Sequence, residues 1–99
     1  MKLRIQSINF DATTQLETYI NKKVSKLEKT FDKVETIDLY LKVVKPESTA
    51  NKTVDIKISV PNTEFFASKT CDTFEEAVDL CVDALDKQVR KHKEKQNKK

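Results

Sequence analysis

The residues whose side chains could act in catalysis or metal binding are few in this chain and far apart. Cys71 and Cys81 are ten residues apart, and the single histidine, His92, follows in a lysine-rich segment. This spacing matches neither a disulfide framework nor a zinc cluster. The chain also has no glycine, so no glycine-rich loop could hold a phosphate. We therefore predict a protein that is not an enzyme, with no cofactor, no metal and two reduced structural thiols.

Each of these groups fits a structural role better than a chemical one. Cys81 falls on the apolar stripe of a predicted helix, where a thiol behaves as a small hydrophobic side chain. His92 continues that stripe, so we expect it to pack at the helix end or to be solvated. Asp79 and Asp83 are expected on the outward face of the same helix, as solvated charges.

Basic residues offer a stronger basis for function. Residues 87–99 carry seven Lys or Arg and one Glu, which leaves 12 basic and 15 acidic side chains in residues 1–86. The formal net charge of +3 therefore conceals a mildly acidic body and a concentrated cationic end. Such a block acts either as a solubilising tail or as an arm for polyanions, and charge alone does not separate the two.

Alternation of apolar and polar residues predicts four strands. Between the last two strands, PNT predicts a turn, although it lacks the Asn-Gly pair typical of tight hairpins. KPESTANK predicts a loop between the second and third strands. The predicted strands are LRI (3–5), IDLYLKV (37–43), VDIKISV (54–60) and EFFASK (64–69).

Apolar residues at three- and four-residue steps predict two helices. The first follows a cap at Thr13 or Thr14 and has an apolar stripe that ends at Phe31, with Lys22, Lys26 and Lys29 on its far side and Lys23 beside the stripe. The second begins at Asp72 with Glu75 completing a capping box. Its apolar stripe contains Phe74, Val78, Cys81, Leu85 and Val89, and its carboxylates Asp79, Asp83 and Asp86 are expected to face away.

The predicted order β-α-β-β-β-α indicates an α+β fold. Because each strand and each helix has one apolar face, we expect a four-stranded, mainly antiparallel sheet with both helices on one face. The crossover rule places strand 1 parallel to strand 2. The second helix is longer than the strands, so its last two turns, after Val89, should project as a basic prong. We predict one domain over residues 1–95 and a basic, disordered tail over 96–99.

No apolar run is long enough for a membrane span or a signal peptide, so we expect a cytoplasmic protein without membrane contact. If the helices lie side by side, their cations form one field that suits the phosphates of A-form or folded ribosomal RNA. Solvated, lysine-rich helix ends are the alternative. Stacking of bases on Tyr40 and on Phe65 or Phe66 has less support, because the aromatic signature of an RNA-recognition motif is missing. The candidate RNA-binding residues are Lys22, Lys23, Lys26, Lys29, Lys87, Arg90, Lys91, Lys93 and Lys95.

Five segments, taken in order, resemble the short form of the ribosome hibernation promoting factor family, also called ribosome-associated inhibitor A or sigma-54 modulation proteins. They are FDATTQL, KKVSKLEKTFDK, LYLKVVKPE, FFASKTCDTFEEAVDL and LDKQVRKHKEK. The resemblance covers the chain from Lys2 to about Lys95. Its most specific pieces are KLEKTF at 26–31, the run from Ala67 to Asp79, and KQVRKHK at 87–93.

The resemblance implies a fold like that of double-stranded-RNA-binding domains and a partner in the 30S ribosomal subunit. Members of this family occupy the channel for messenger and for A- and P-site transfer RNA, which stops translation and preserves idle ribosomes under stress and in stationary phase. Their basic helix ends contact 16S ribosomal RNA. The matching positions here are Lys23, Lys26, Lys87, Lys91 and Lys93, whereas Lys29 and Arg90 are included for their charge alone.

This chain departs from the family pattern in several places. Ala84 stands where many relatives have lysine, Thr73-Phe74 replaces Met-Tyr, and the glycine of the last hairpin is absent. The C-terminal domain of long-form members is missing, so we expect a free monomer that needs another factor for any ribosome dimerisation. Two alternatives stay open: a general binder of structured RNA in ribosome assembly, and a regulator that binds a protein through the acidic face of the second helix. No small-molecule substrate is expected.

Overall fold

The computed structural model describes residues 2–8, 11–30, 33–43 and 51–97, and they form the predicted α+β fold in the order β-α-β-β-β-α. Phe31 and most of the predicted loop, residues 45–50, lie outside the described residues. No helix in the described ranges is both long and apolar enough to cross a membrane. The elements are β1 (Lys2–Ile8), α1 (Thr14–Thr30), β2 (Thr36–Val43), β3 (Lys52–Val60), β4 (Thr63–Cys71) and α2 (Phe74–Asn97).

The four strands form one sheet in the order β1-β2-β3-β4. β1 runs parallel to β2, while the β2–β3 and β3–β4 pairs are antiparallel, which confirms the predicted topology. β3 and β4 are each longer than predicted, because Lys52 and Thr53 pair with Cys71 and Thr70 beyond the alternating apolar run. Backbone pairing continues there although the apolar signal has ended.

The core lies between one face of the sheet and both helices. Burying such side chains contributes roughly 1.5–3 kcal/mol each, so this layer supplies most of the driving force for the fold. The predicted inward positions of β2, β3 and α2 are confirmed. The side chains with less than 2% exposure include Ile20, Val24 and Leu27 of α1, Ile37, Leu39 and Leu41 of β2, Val54, Ile56 and Ile58 of β3, and Val78, Cys81, Leu85 and Val89 of α2.

The β3–β4 turn is a two-residue loop despite the absence of Asn-Gly. Val60 pairs with Thr63, so only Pro61 and Asn62 connect the strands. Proline holds its own φ near −65°, and Asn62 has a φ of 70°. A type II turn requires this combination of φ angles. Asparagine is one of the few residues other than glycine that tolerate a positive φ.

Thr73, rather than Asp72, caps α2, so the predicted start of this helix is wrong by one residue. The Thr73 hydroxyl accepts a hydrogen bond from the Glu76 backbone amide (3.1 Å), and the Thr73 carbonyl accepts one from the Ala77 amide (3.2 Å). Threonine followed three residues later by glutamate is itself a capping-box sequence. Thr13 caps α1 in the same way, because its hydroxyl accepts from the Leu16 amide at 3.1 Å.

The C-terminal part of α2 stays packed for one turn longer than predicted. The His92 ring packs edge-on against the Phe65 ring with centroids 5.4 Å apart, which confirms the packing role and moves the start of any prong beyond His92. The helical backbone continues to Asn97. No Gly or Pro interrupts this segment, so the helix has no local reason to end earlier. Lys98 and Lys99 lie outside the described residues.

We expect Thr73→Ala to lower the free energy of unfolding by about 1 kcal/mol, because the first turn of α2 loses its hydroxyl acceptor. Asp72→Ala, the matched control, should have a clearly smaller effect. Urea unfolding followed by circular dichroism measures both. A larger loss from Asp72→Ala would contradict the assignment of Thr73 as the cap.

Candidate nucleic-acid interface

The two helices lie side by side on the sheet, and a groove of about 340 Å³ runs between them. Its floor is apolar and is formed by Leu27 of α1 and Val82 of α2. Its walls carry charges of both signs: the cations are Lys23, Lys26 and Arg90, and the carboxylates are Asp79, Asp83 and Asp86. Cations from both helices therefore share one surface, as the sequence predicts.

Asp79 joins α2 to α1 across this groove. Its carboxylate accepts a hydrogen bond from the Tyr19 hydroxyl (2.7 Å) and forms an ion pair with the Lys23 ammonium (3.2 Å). The Lys23 ammonium also lies 5.4 Å from the centre of the Tyr19 ring. These three side chains hold the two helices at a defined spacing and hold the Lys23 cation at the groove rim.

This bridge shifts the pKa values of two of its members. The hydrogen bond from Tyr19, followed by the charges of Lys23 and Lys26, holds the pKa of Asp79 below its usual value despite partial desolvation. The same hydrogen bond and the nearby carboxylate raise the pKa of Tyr19 to about 12. Both shifts favour the state with an ionised Asp79 and a protonated Tyr19 at neutral pH.

Two more carboxylates of α2 pair with cations of α2 itself. Asp83 lies 3.3 Å from the Lys87 ammonium, and Asp86 lies 3.0 Å from the Arg90 guanidinium. Each pair has four-residue spacing with the acid nearer the helix N-terminus, which is the more favourable order. The Lys87 and Arg90 side chains are 77% and 68% exposed, so both cations remain open to a partner.

The structure adds a neighbour to the predicted placement of several charges. Asp79 and Asp83 are exposed, as their predicted outward placement requires, and together with the half-buried Asp86 they also line the interhelix groove. Lys26 lines this groove as well, although helical spacing keeps it near Lys22 and Lys29. The sequence pattern locates the core stripe of each helix but not the direction of its neighbour. That direction depends on how the two helices pack on the sheet.

Of the remaining predicted cations, the structure describes the side chains of some and only the helical backbone of others. Lys22, Lys29 and Lys91 are exposed, and no carboxylate among the described residues pairs with them. Lys91 lines a second, shallow pocket of about 280 Å³ together with Phe65, Gln88 and His92. The backbone of α2 carries Lys93 and Lys95, but their side chains lie outside the described part of the structure.

The opposite face of the sheet has no comparable cationic field among the described residues. Three of its basic side chains pair with acidic ones across the strands: Arg4 with Asp38 (2.7 Å), Lys42 with Asp55 (2.7 Å) and Lys57 with Glu64 (2.9 Å). Opposite charges in such cross-strand positions stabilise the sheet and neutralise its surface. The two faces of the molecule therefore differ in electrostatic character.

The aromatic residues of the sheet do not form a stacking platform. Phe65 is buried and Phe66 is 56% exposed on the edge strand β4, whereas Tyr40 is half-buried on β2. β3 separates Phe66 from Tyr40, which places their Cα atoms roughly 12 Å apart. The Phe66 carbonyl accepts a hydrogen bond from the Gln88 amide (3.1 Å), which ties α2 to the sheet edge.

Tyr19 and Gln88 are the positioning residues that the sequence analysis missed. Tyr19 precedes Lys23 by four residues, so helical spacing alone puts the two side chains on one face. That signal was available, although it does not show which carboxylate they contact. No local pattern indicates the contact between Gln88 and Phe66, because 22 residues separate them in sequence.

Nearly the whole chain matches a known family. The family model for the sigma 54 modulation protein / S30EA ribosomal protein matches residues 3–97. The chain belongs to this family. A protein named ribosome hibernation promoting factor from Azotobacter vinelandii is 31% identical over 96 residues, which cover 97% of this chain and 86% of that protein. A protein of the same name from Escherichia coli K12 is 32% identical over 95 residues, or 96% of both chains.

Solved structures of similar proteins share the fold of this S30EA family member. A ribosomal subunit interface protein from Coxiella burnetii superimposes with a TM-score of 0.83 at 22% identity, covering 94% of this chain and 98% of that one. The N-terminal domain of Protein Y from Thermus thermophilus superimposes with a TM-score of 0.75 at 22% identity, covering 92% and 94%. These matches confirm the predicted fold class.

We expect Asp79→Asn to lower the free energy of unfolding by about 0.5–1 kcal/mol at pH 7, a modest effect because the carboxylate is 46% exposed. The folded state depresses the pKa of Asp79, so this contribution is present above the unfolded-state pKa of about 3.9 and disappears as pH falls through the folded-state value. Urea unfolding of both proteins at about pH 7 and about pH 2.5 tests this. An equal difference at both pH values would contradict a role for the charge.

Both thiols should be inert in the folded protein. Burial raises the pKa of Cys81 to about 12 and also raises the pKa of Cys71. The Cys81 thiol donates to the Val54 carbonyl at 3.3 Å. At pH 8 the Cys81 thiolate fraction is then roughly one in ten thousand, so labelling by a thiol-specific disulfide reagent should require unfolding. Rapid, stoichiometric labelling without urea would contradict this.

Proposed function

We propose that this protein is a ribosome hibernation factor that binds the small ribosomal subunit and inhibits translation. The carrying observation is that cations from both helices share one side of the molecule, where Lys22, Lys29 and Lys91 have no carboxylate partner among the described residues, while Arg4, Lys42 and Lys57 of the open sheet face are held in cross-strand pairs. Membership of the S30EA family and similarity to proteins named ribosome hibernation promoting factor support the choice of partner.

The proposed binding site is the decoding channel, which holds messenger and the A- and P-site transfer RNAs, and the proposed ligand is 16S ribosomal RNA. Exposed lysines such as Lys22 and Lys91 would contact phosphates, while the fixed spacing of α1 and α2 would match the shape of folded RNA. Occupancy of the channel stops translation without any bond being made or broken. The mechanism therefore needs no catalytic residue and no cofactor, and it operates in the cytoplasm.

The ion pairs of α2 disfavour the alternative of a protein-binding regulator that uses the acidic face of this helix. Asp79, Asp83 and Asp86 each pair with a cation of the same chain, so they do not form a free acidic surface. A role as a general binder of structured RNA in ribosome assembly uses the same cations, and competition experiments separate it from the decoding-channel proposal. We further propose that the free protein is a monomer and that ribosome dimerisation would need another factor.

Co-sedimentation with purified 30S subunits across a salt series tests the RNA-binding face. Lys22→Gln/Lys91→Gln should weaken binding by about tenfold or more and reduce the salt slope by roughly 0.7–0.9 for each phosphate that the variant no longer neutralises. Lys42→Gln/Lys57→Gln removes the same charge from the open sheet face and should leave the slope nearly unchanged. If this control binds 30S subunits more weakly than the helix variant does, the RNA-binding interface lies on the open sheet face and the proposal is wrong.

Competition tests the decoding-channel placement. Messenger together with initiator transfer RNA, bound to 30S subunits beforehand, should prevent binding of this protein in proportion to their occupancy. Messenger and transfer RNA that do not pair with each other serve as the control. Binding that is saturable and salt-dependent but insensitive to the bound complex would reject the channel and favour the assembly alternative.

A further inference from the structure

We infer that Asp83 and Asp86 set the RNA selectivity of the helix face, because they hold Lys87 and Arg90 in ion pairs that a phosphate must disrupt to reach either cation. This inference rests on the proposed function and adds to it a means of discrimination. It concerns which RNA is bound, rather than whether RNA is bound.

The cations of the helix face fall into two groups. Lys23, Lys87 and Arg90 each lie within 3.0–3.3 Å of a carboxylate in or beside the groove. Lys22, Lys29 and Lys91 have no such partner in the described ranges. The unpaired lysines are available to any phosphate, whereas the paired cations are available only to a phosphate that displaces a carboxylate.

The carboxylates penalise any phosphate that approaches the groove. Each one repels the phosphate and competes with it for the adjacent cation, and exposed pairs of this kind contribute only modestly to affinity. A flexible strand or a uniform duplex presents phosphates along its whole length, so some must meet these carboxylates. A folded RNA surface with a fixed phosphate arrangement can contact the unpaired lysines and avoid the groove.

Selectivity is a difference between two affinities, and a repulsive element against the wrong partner is one way to produce it. The paired carboxylates lower binding to every polyanion, but they lower it least for a surface of matching shape. They would therefore reduce loss of the protein to messenger and other abundant RNA without an equal loss of ribosome affinity. Unpaired lysines alone would give no such discrimination, because phosphate contacts are independent of sequence.

Asp83 and Asp86 can be tested without disturbing the helix spacing. Asp79 is unsuitable because it also accepts the Tyr19 hydrogen bond that joins α1 to α2. Asp83 is 65% exposed and Asp86 is 29% exposed, and the ion pair that each forms lies within α2 itself. Asparagine keeps the shape of each side chain and has a similar helix propensity.

The experiment compares the dissociation constants of wild type and Asp83→Asn/Asp86→Asn for 30S subunits and for a generic 20-base-pair RNA duplex. The variant should bind the duplex about two- to tenfold more tightly and with a steeper salt slope, while its affinity for 30S changes by less than about twofold. The ratio of the two affinities should therefore fall. Glu17→Gln/Glu28→Gln makes the same charge change on α1 outside the groove and should leave that ratio within about twofold of wild type.

A second variant tests whether the ion pair itself, rather than the identity of either side chain, sets the affinity for the duplex. Asp86→Arg/Arg90→Asp keeps the charge and restores a pair with reversed polarity, so its affinity for the duplex should stay within about twofold of wild type. Circular dichroism and the urea midpoint verify that each variant folds. Arg90 is the choice for this exchange because it lies outside the family's matching basic positions.

The outcomes distinguish a failure of the selectivity inference from a failure of the proposed function. Equal gains for 30S and duplex, or no gain for either, would overturn the inference while wild-type binding to 30S upholds the proposed function. Failure of the wild-type protein to bind 30S would reject the proposed function, and the selectivity inference with it.

Discussion

Burial of a single sheet face beneath both helices is the constraint on which the rest of the structure depends. β2 and β3 each present three fully buried aliphatic side chains to the layer formed by the stripes of α1 and α2. Both helices must therefore lie on the same side, where Asp79 links them to each other through Tyr19 and Lys23. The polar face of the sheet is left open, and it satisfies its charges internally.

This packing converts two separate amphipathic helices into one electrostatic surface. Alone, each helix would present a basic region that serves solubility as well as binding. Side by side, they place cations and carboxylates around one groove, with the spacing of the helices held by the core and by the Asp79 bridge. Charge on this surface is therefore arranged at fixed distances, which is what recognition of a folded polyanion by shape requires.

The places where sequence reasoning was wrong are mostly places where neighbours decide the outcome. The α2 cap is the exception: Thr73 and Glu76 form a capping-box sequence, so the sequence itself carries the signal for the observed cap. The hairpin register was open from the sequence because Pro61-Asn62 is an uncommon tight turn, and strand pairing settles it. The contact of His92 with Phe65 extended the packed part of α2 by one turn, which helix and strand lengths did not indicate.

The sequence by itself determined the order of elements, the α+β class, the core-facing positions and the concentration of positive charge at the C-terminal end. Those features follow from local periodicity and composition, which each segment carries independently. Only the tertiary structure decided that Asp79, Asp83 and Asp86 of α2 share a groove with Lys23 and Lys26 of α1. The direction in which a helix's polar flank points depends on the neighbour against which that helix packs, and no single segment encodes that neighbour.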